Sequence, residues 1–466
     1  MGSNPALSFQ RSEEMVIKLF NTMTRKKETL KTIQPKKVKM FVCGPTVYDY
    51  SHIGHAKTYV QFDMIVKYLR FRGFNVFYLQ NITDLDDKII QRAKEQGTEP
   101  KTLAKKFEEE YYKDIKSMGI DSVTEYARAT DFIKAIIRQV KTLIKGGFAY
   151  EIEDGVYYNL SKFPEYGKLS GRMTLDAEDA VTRIDDGLGK KNKGDFCLWK
   201  KSASNEPKWK SPWGDGRPGW HIEDTAITES YFGPQYDIHG GARDLIFPHH
   251  EAEIAQMEAA SGKKPLVRYW LHTGFLTVER KKMAKSLGNF VTIRDALKKW
   301  DTKTLRFVFI SNHYRSPIDF SKEGLSSAKN SLERLNEFMR KTKDGKDNFD
   351  EKLIKETKRK FVEAMDDDFD TPKALAVIFD FVREVNRKGG GKKAYKMLKE
   401  FDEIFGILSE EKPEKIPEAV KELIKRREGA RKNKEWKLAD EIRQKIKELG
   451  YVLEDTAEGI RCKKIS

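Results

Sequence analysis

The chain has 466 residues and a formal net charge of +16, with 88 Lys and Arg against 72 Asp and Glu. At about 150 residues per domain that length holds two to four domains with real cores, and no apolar run reaches the ~18 residues of a membrane helix. No basic patch followed by an apolar stretch marks a secretory signal. Three cysteines standing far apart (Cys43, Cys197 and Cys462) make no disulfide framework, which implies a reducing, cytoplasmic setting. The positive balance suits a polyanionic partner such as nucleic acid, and equally a Lys/Glu-rich surface of the thermophile kind.

Residues 1–14 read as a polar, irregular extension, with Met15 available as a start. Val38-Lys39-Met40-Phe41-Val42 reads as a buried strand that Cys43-Gly44-Pro45-Thr46 breaks. After His55 the pattern turns helical, with Val60, Met64, Ile65, Tyr68 and Leu69 at helical spacing, and Asn75-Val76-Phe77-Tyr78-Leu79 is a second strand. Strand, loop, helix, strand opens a parallel α/β sheet. Ligands of such sheets bind at the carboxyl ends of the strands, where Cys43 and His52 fall. From about Lys88 to Lys208 long charged helices give way to short segments such as Gly155-Val156-Tyr157-Tyr158, the look of a large insertion. The sheet is expected to resume near Gly219-Trp220-His221-Ile222 and to continue through Tyr236-Asp237-Ile238-His239-Gly240-Gly241. After Ser286 the pattern is helical almost to the end, with linkers at Asp344-Gly345-Lys346-Asp347 and Glu410-Glu411-Lys412-Pro413.

Three constellations carry chemistry. His52-Ile53-Gly54-His55 places two histidines three apart, on one face of a helix start, where backbone N–H groups favour phosphate. Gly54 leaves room for an adenine ring. Two unrelated histidines at a helix start are the plain alternative. Lys282-Met283-Ala284-Lys285-Ser286 sits in a dense basic loop; Lys282 and Lys285 either reach the oxygens of a leaving group or belong to a solvated loop. His249 and Glu253 are four apart at the opening of a helix and project from one side. With Cys43 from a distant strand end they suit zinc, which takes mixed sulfur, nitrogen and oxygen ligands; alone, such a pair is a surface contact.

At these residues, and at Leu19-Phe20-Asn21-Thr22, Cys43-Gly44-Pro45-Thr46-Val47-Tyr48-Asp49, Asn81-Ile82-Thr83-Asp84-Leu85-Asp86-Asp87-Lys88, Phe247-Pro248-His249-His250-Glu251 and Tyr314-Arg315-Ser316-Pro317, the sequence resembles the cysteinyl-tRNA synthetases from Met15 onward. The resemblance implies a class I aminoacyl-tRNA synthetase of α/β class. A Rossmann-like catalytic domain with a parallel sheet split by an insertion is followed by a helical bundle and a small C-terminal anticodon-binding domain. The boundaries expected are an extension over 1–14, the catalytic domain over 15–90 and 211–300, the insertion over 91–210, a linking helical part over 301–343, the bundle over 344–411 and the anticodon-binding domain over 412–466.

The resemblance further implies activation of L-cysteine by ATP, with Mg2+, and transfer to tRNA(Cys) by a monomer. His52, His55, Lys282 and Lys285 are the catalytic residues it implies, and His52, Gly54, His55, Gly240, Gly241 and Lys285 meet ATP. Thr83, Trp220, Asp237 and His239 meet the amino acid, although Trp220 as core and Thr83 as a helix cap stay open. The family holds one zinc ion through two cysteines, a histidine and a glutamate, matched here by Cys43, His249 and Glu253. The second cysteine, in the family's Trp-His-Ile-Glu-Cys, reads Asp224 in this chain. Aspartate ligates zinc through oxygen, so retention of the ion is expected, with a stronger Lewis acid as the result. His250 is expected either to support the ligands from behind or to be structural.

Met365-Asp366-Asp367-Asp368-Phe369-Asp370-Thr371-Pro372 resembles the entry to the family's bundle, with the acids as caps and solvated charge. Trp436 is expected to pack, because Leu438 and Ala439 look buried. Gly459-Ile460-Arg461-Cys462 departs from the family's Gly-Thr-x-Trp-Arg ending. Two rivals remain: a ligase joining cysteine to a small amine, which the long tail opposes, and a non-catalytic tRNA-binding paralogue, which the intact motifs oppose.

Overall fold

The protein is described from a computed structural model over residues 16–172, 189–284, 287–409, 417–456 and 459–464. Two compact units divide it, residues 1–408 and 409–466. The first is organised on five strands, β1 (Lys37–Val42), β2 (Asn75–Ile82), β3 (Glu125–Arg128), β4 (Tyr236–Ala242) and β5 (Val267–Thr273). They pair in parallel in the order β5-β4-β1-β2-β3. Met40, Phe41 and Val42 are completely buried, as expected for a strand covered on both faces. Helix α1 (Ile53–Phe71) crosses from β1 to β2. Chain order runs outward from β1 to β3 on one side and through β4 to β5 on the other. The direction therefore reverses between β1 and β4, and a ligand crevice belongs at their carboxyl ends.

Two expectations change here. The sheet takes β3 from the segment read as pure insertion, so the inserted part proper is the antiparallel four-stranded sheet of Ala149–Ile152, Gly155–Tyr158, Cys197–Lys201 and Gly216–Pro218. Gly219-Trp220-His221-Ile222 is not strand: Gly219 is the N-cap of helix α2 (Trp220–Phe232), and Ile222, Ala226 and Ile227 bury its inner side. Among the described residues, no helix is long and apolar enough to cross a membrane.

The helices Glu351–Asp366, Thr371–Lys388 and Lys392–Phe405 share one apolar core with the sheet's helices. Buried Arg306 joins them: it donates to Asp63 Oδ2 on α1 at 2.9 Å, to Phe405 O at 2.9 Å and to Met118 O at 3.1 Å. The acidic run at the bundle entry is not mainly solvated charge. Asp370 does cap its helix, accepting from Lys373 N at 3.1 Å. Asp368 is fully buried and accepts from Phe20 N at 2.8 Å, Tyr314 OH at 2.7 Å and Arg315 Nε at 2.8 Å. Asp366 pairs with Arg72.

The second unit packs helices Glu418–Lys432 and Trp436–Glu448 against the hairpin Tyr451–Thr456 and Gly459–Lys464. Its small core is Val420, Ile442, Ile446, Tyr451 and Leu453. Trp436 does not pack as expected: it is 58% exposed and Leu438 is 41% exposed. The inward stripe is Ala439, Ile442 and Ile446, and Trp436 lies a turn beyond its end. The linker expected at 410–413 and residues 1–14 fall outside the described residues.

Candidate active site and metal centre

Three segments deliver four buried donors to the crevice. Cys43 directly follows β1, Asp224 lies on the second turn of α2, and His249 and Glu253 flank the start of helix α3 (Glu251–Ser261). Their ligand atoms all lie within 4.8 Å of one another. Asp224 Oδ2 is 3.6 Å from Cys43 Sγ and 3.0 Å from His249 Nε2, and Glu253 Oε1 is 3.1 Å from the same nitrogen. The other ring nitrogen, Nδ1, is 2.8 Å from His221 Nδ1. A ring N–H at Nε2 can serve one carboxylate oxygen, not two, and Glu253 Oε1 is left without a hydrogen-bond partner. If the proton sits on Nδ1 instead, two oxygens face a nitrogen lone pair. A cation satisfies all of these atoms at once, and the Cys/Asp/His/Glu donors are ones zinc accepts. Burial and the neighbouring Glu253 and Asp224 charges push the Cys43 thiol up, and burial with Asp224 pushes Glu253 up. A bound cation reverses the sign of that local field. The residues fit the metal.

A second donor set shares Cys43 and Glu253 and adds His239 and His250. His250 Nε2 approaches Cys43 Sγ to 3.2 Å and His239 Nε2 to 3.4 Å. His250 continues through Nδ1 to His272 Nε2 at 2.8 Å, and His272 to Thr22 Oγ1 at 2.8 Å. Burial lowers the basicity of His221, His239, His250 and His272 and keeps these rings neutral. The sequence suggests for His250 a supporting or structural part, and its contacts with Cys43 and His272 fit the supporting one; it suggests no part for His221 or His272. The available signal was numerical: of eight histidines in the chain, five meet in this one buried cluster.

The other expected residues divide. Trp220 is half-buried and stacks on His249, with ring centroids 4.2 Å apart. Thr83 is buried and bridges Thr46 beside the end of β1; the cap of the following helix is Asp86, which accepts from Lys88 N at 2.8 Å. Asp237 does not reach the crevice. It lies at the amino end of β4, where its oxygens take the N–H of Ile33 at 2.6 Å and of Lys39 at 2.9 Å. The acid beyond the crevice end of the strand is Asp244, which is exposed. Gly240 and Gly241 do allow a close approach, but by Phe62 and His250, whose side chains occupy the space a Cβ would need.

His52 is the N-cap of α1. Its Nδ1 accepts from Gly54 N at 3.1 Å and His55 N at 3.4 Å, and His55 Nδ1 accepts from His52 N at 3.4 Å. This reciprocal cap leaves the proton of each neutral ring on Nε2. The rings stack with centroids 3.7 Å apart, and a Cβ at Gly54 would press against the His52 ring. Tyr59 links the two halves of the site: its ring stacks with His55 at 6.1 Å and its hydroxyl donates to Cys43 O at 3.3 Å. Lys282 is exposed on the short strand Lys281–Lys282, and the side chain of Asn289 spans the loop from Ala284 N (2.9 Å) to Lys282 O (3.0 Å). Lys285 lies outside the described residues.

Residues 29–330 match the family model of the class I (C) tRNA synthetase catalytic domain, residues 360–410 the DALR domain and residues 414–461 the cysteinyl-tRNA ligase anticodon binding domain. A cysteine–tRNA ligase from Thermococcus gammatolerans is 45% identical, covering 97% of this chain and 100% of its own length. The same figures hold for one from Pyrococcus horikoshii. The chain belongs to the cysteine–tRNA ligase family. Its α/β architecture recurs in the methionyl-tRNA synthetase of Mycobacterium tuberculosis bound by methionyl-adenylate, 16% identical with a TM-score of 0.60 over 76% of this chain and 83% of that one. At that identity the likeness is one of fold; membership of the class I synthetases rests on the catalytic-domain family match over residues 29–330.

Proposed function

We propose that the chain activates L-cysteine with ATP and transfers the cysteinyl group to the 3′-terminal ribose of tRNA(Cys), acting as a cytoplasmic monomer. The observation that carries this reading is the buried set of Cys43, Asp224, His249 and Glu253 at the sheet crevice, joined through Tyr59 to the His52/His55 pair. Zinc held by those four residues would offer the substrate thiolate a bond that a serine hydroxyl does not match, where pocket shape alone gives only ~1–3 kcal/mol. Trp220 covers one side of the His249 ring.

The cysteine carboxylate attacks the α-phosphate of ATP, and pyrophosphate leaves with its Mg2+. His52 and His55 offer Nε2–H donors to phosphate oxygens, and Lys282 with Lys285 offsets charge growing on the leaving group. The acyl group then passes from AMP to a ribose hydroxyl. No side chain need act as nucleophile; position and electrostatics supply the rate. In the second unit, Trp436 stands exposed among exposed Lys432, Lys434 and Lys437, a surface suited to stacking on a base while holding phosphates.

The test is ATP–pyrophosphate exchange without tRNA, with cysteine and serine compared, followed by charging of tRNA(Cys). Exchange with cysteine alone, then charging, supports the proposal. Exchange without charging, but with a small amine acceptor consumed, favours the small-molecule ligase. No exchange from folded, zinc-supplied protein leaves a non-catalytic tRNA-binding paralogue.

A further inference from the structure

Asp224 stands where the resemblance expects cysteine, and the two side chains pose different geometric problems. A thiolate has one donor atom, whose place is set by χ1 alone. A carboxylate has two oxygens and a broad terminal torsion, so an unsupported aspartate spreads its donor over an arc. In this protein the arc is closed by Asn81. Its Nδ2 donates to Asp224 Oδ1 at 2.6 Å, which leaves Oδ2 as the oxygen turned toward Cys43 and His249.

The same amide is fixed at its other end. Asn81 Oδ1 accepts from Gly44 N at 2.5 Å, directly after Cys43, and the second Nδ2 hydrogen goes to Thr83 Oγ1 at 3.3 Å. These contacts use the amide's donors and its acceptor and so determine which way it points. Gly44 lies so close that a Cβ there would collide with the main-chain carbonyl of Asn81. Asn81 itself is 2% exposed. One side chain thus ties the segment carrying Cys43 to the helix carrying Asp224.

We propose that Asn81 is the positioning residue that makes Asp224 a competent metal ligand, by holding one carboxylate oxygen and directing the other into the donor set. The inference rests on the metal reading given above. A hydrogen bond to a ligand from the next layer of residues governs metal affinity by ~10–100-fold. With a thiolate in place of the Asp224 side chain there is no carboxylate to orient, and the dependence on Asn81 vanishes.

The experiment is a double-mutant cycle read by zinc affinity, measured by competition with a chromophoric chelator. The four full-length proteins are wild type, Asn81→Ala, Asp224→Cys and the double variant. Asn81→Ala is expected to weaken zinc binding ~10–100-fold when Asp224 is present, and to change it by no more than ~2-fold in the Asp224→Cys background. Equal weakening in both backgrounds, or none in either, overturns the proposal and makes Asn81 a structural clamp. Wild type that takes up no zinc overturns the metal reading itself, and this proposal with it. Because Asn81→Ala removes the Gly44 contact, Asn81→Asp is run beside it: it is isosteric, keeps the acceptor for Gly44 and loses the donor to Asp224. Weakening confined to the Asp224 background is again expected, and tighter zinc binding in both backgrounds overturns the idea.

Discussion

The two ends of the candidate site are built in opposite ways. The donor cluster is buried and contributed by three distant segments, with its ligand atoms gathered within 4.8 Å of one another. The opposite end consists of a helix start, His52 to His55, and an exposed basic strand. The contrast follows from the task proposed for each. Telling a thiol from a hydroxyl needs a water-free set of ligands held at fixed separations. Offsetting a triphosphate's charge needs cations that approach a large, mobile anion and release it.

Four experiments press on that division. The largest effect is expected from Cys43→Ser, which should lose zinc and reduce cysteine-dependent exchange on the order of 1000-fold, about 4 kcal/mol in the barrier; elemental analysis and exchange assays check it. Chelator treatment of wild type should reproduce the loss and added zinc should reverse it. Next, His55→Ala should lower exchange by ~100-fold, as loss of one preorganised donor does, while zinc content stays at the wild-type value. A fall in both would show that the ends are not separable. Lys282→Ala removes an exposed charge and should lower exchange only ~10-fold, with the effect shrinking as salt is added.

The smallest effect concerns Lys57, inside α1 between the two ends. Its Nζ donates to Gly274 O at 2.7 Å and Gln61 Oε1 at 3.0 Å, and burial lowers its pKa from 10.5 to about 7. Between those values the unfolded chain binds a proton that the folded one does not. Folding is therefore favoured as pH rises from 7 toward 10, and disfavoured below. The difference in thermal midpoint between wild type and Lys57→Met should move in favour of wild type by a few degrees from pH 7 to 9. A constant difference would refute the assignment.

Much of this was legible in the sequence. The strand before Cys43, the helix after His52 and the pair His249/Glu253 follow from local patterns, because each is set by neighbours in sequence. What was hidden depends on elements far apart in the chain. His239 and His250 meet Cys43 only because β4 lies beside β1, a pairing across nearly two hundred residues. Asp237 was placed in the pocket because its motif is, but a strand has two ends and this acid sits at the wrong one. Trp436 reads as packed because Leu438 and Ala439 look buried, whereas among the described residues the small core stops a turn short of it.

Asp368 bears on how small a working catalyst could be made. The catalytic match ends at residue 330, which invites trimming there. A protein so trimmed would keep the Phe20 amide, the Tyr314 hydroxyl and the Arg315 guanidinium but lack the carboxylate that receives all three. Buried partners stranded in this way cost ~3–5 kcal/mol, a large share of what holds a domain together. The bundle therefore serves as a keystone for the segments of Phe20, Tyr314 and Arg315, and the place for the scissors is near residue 409, where the first compact unit ends.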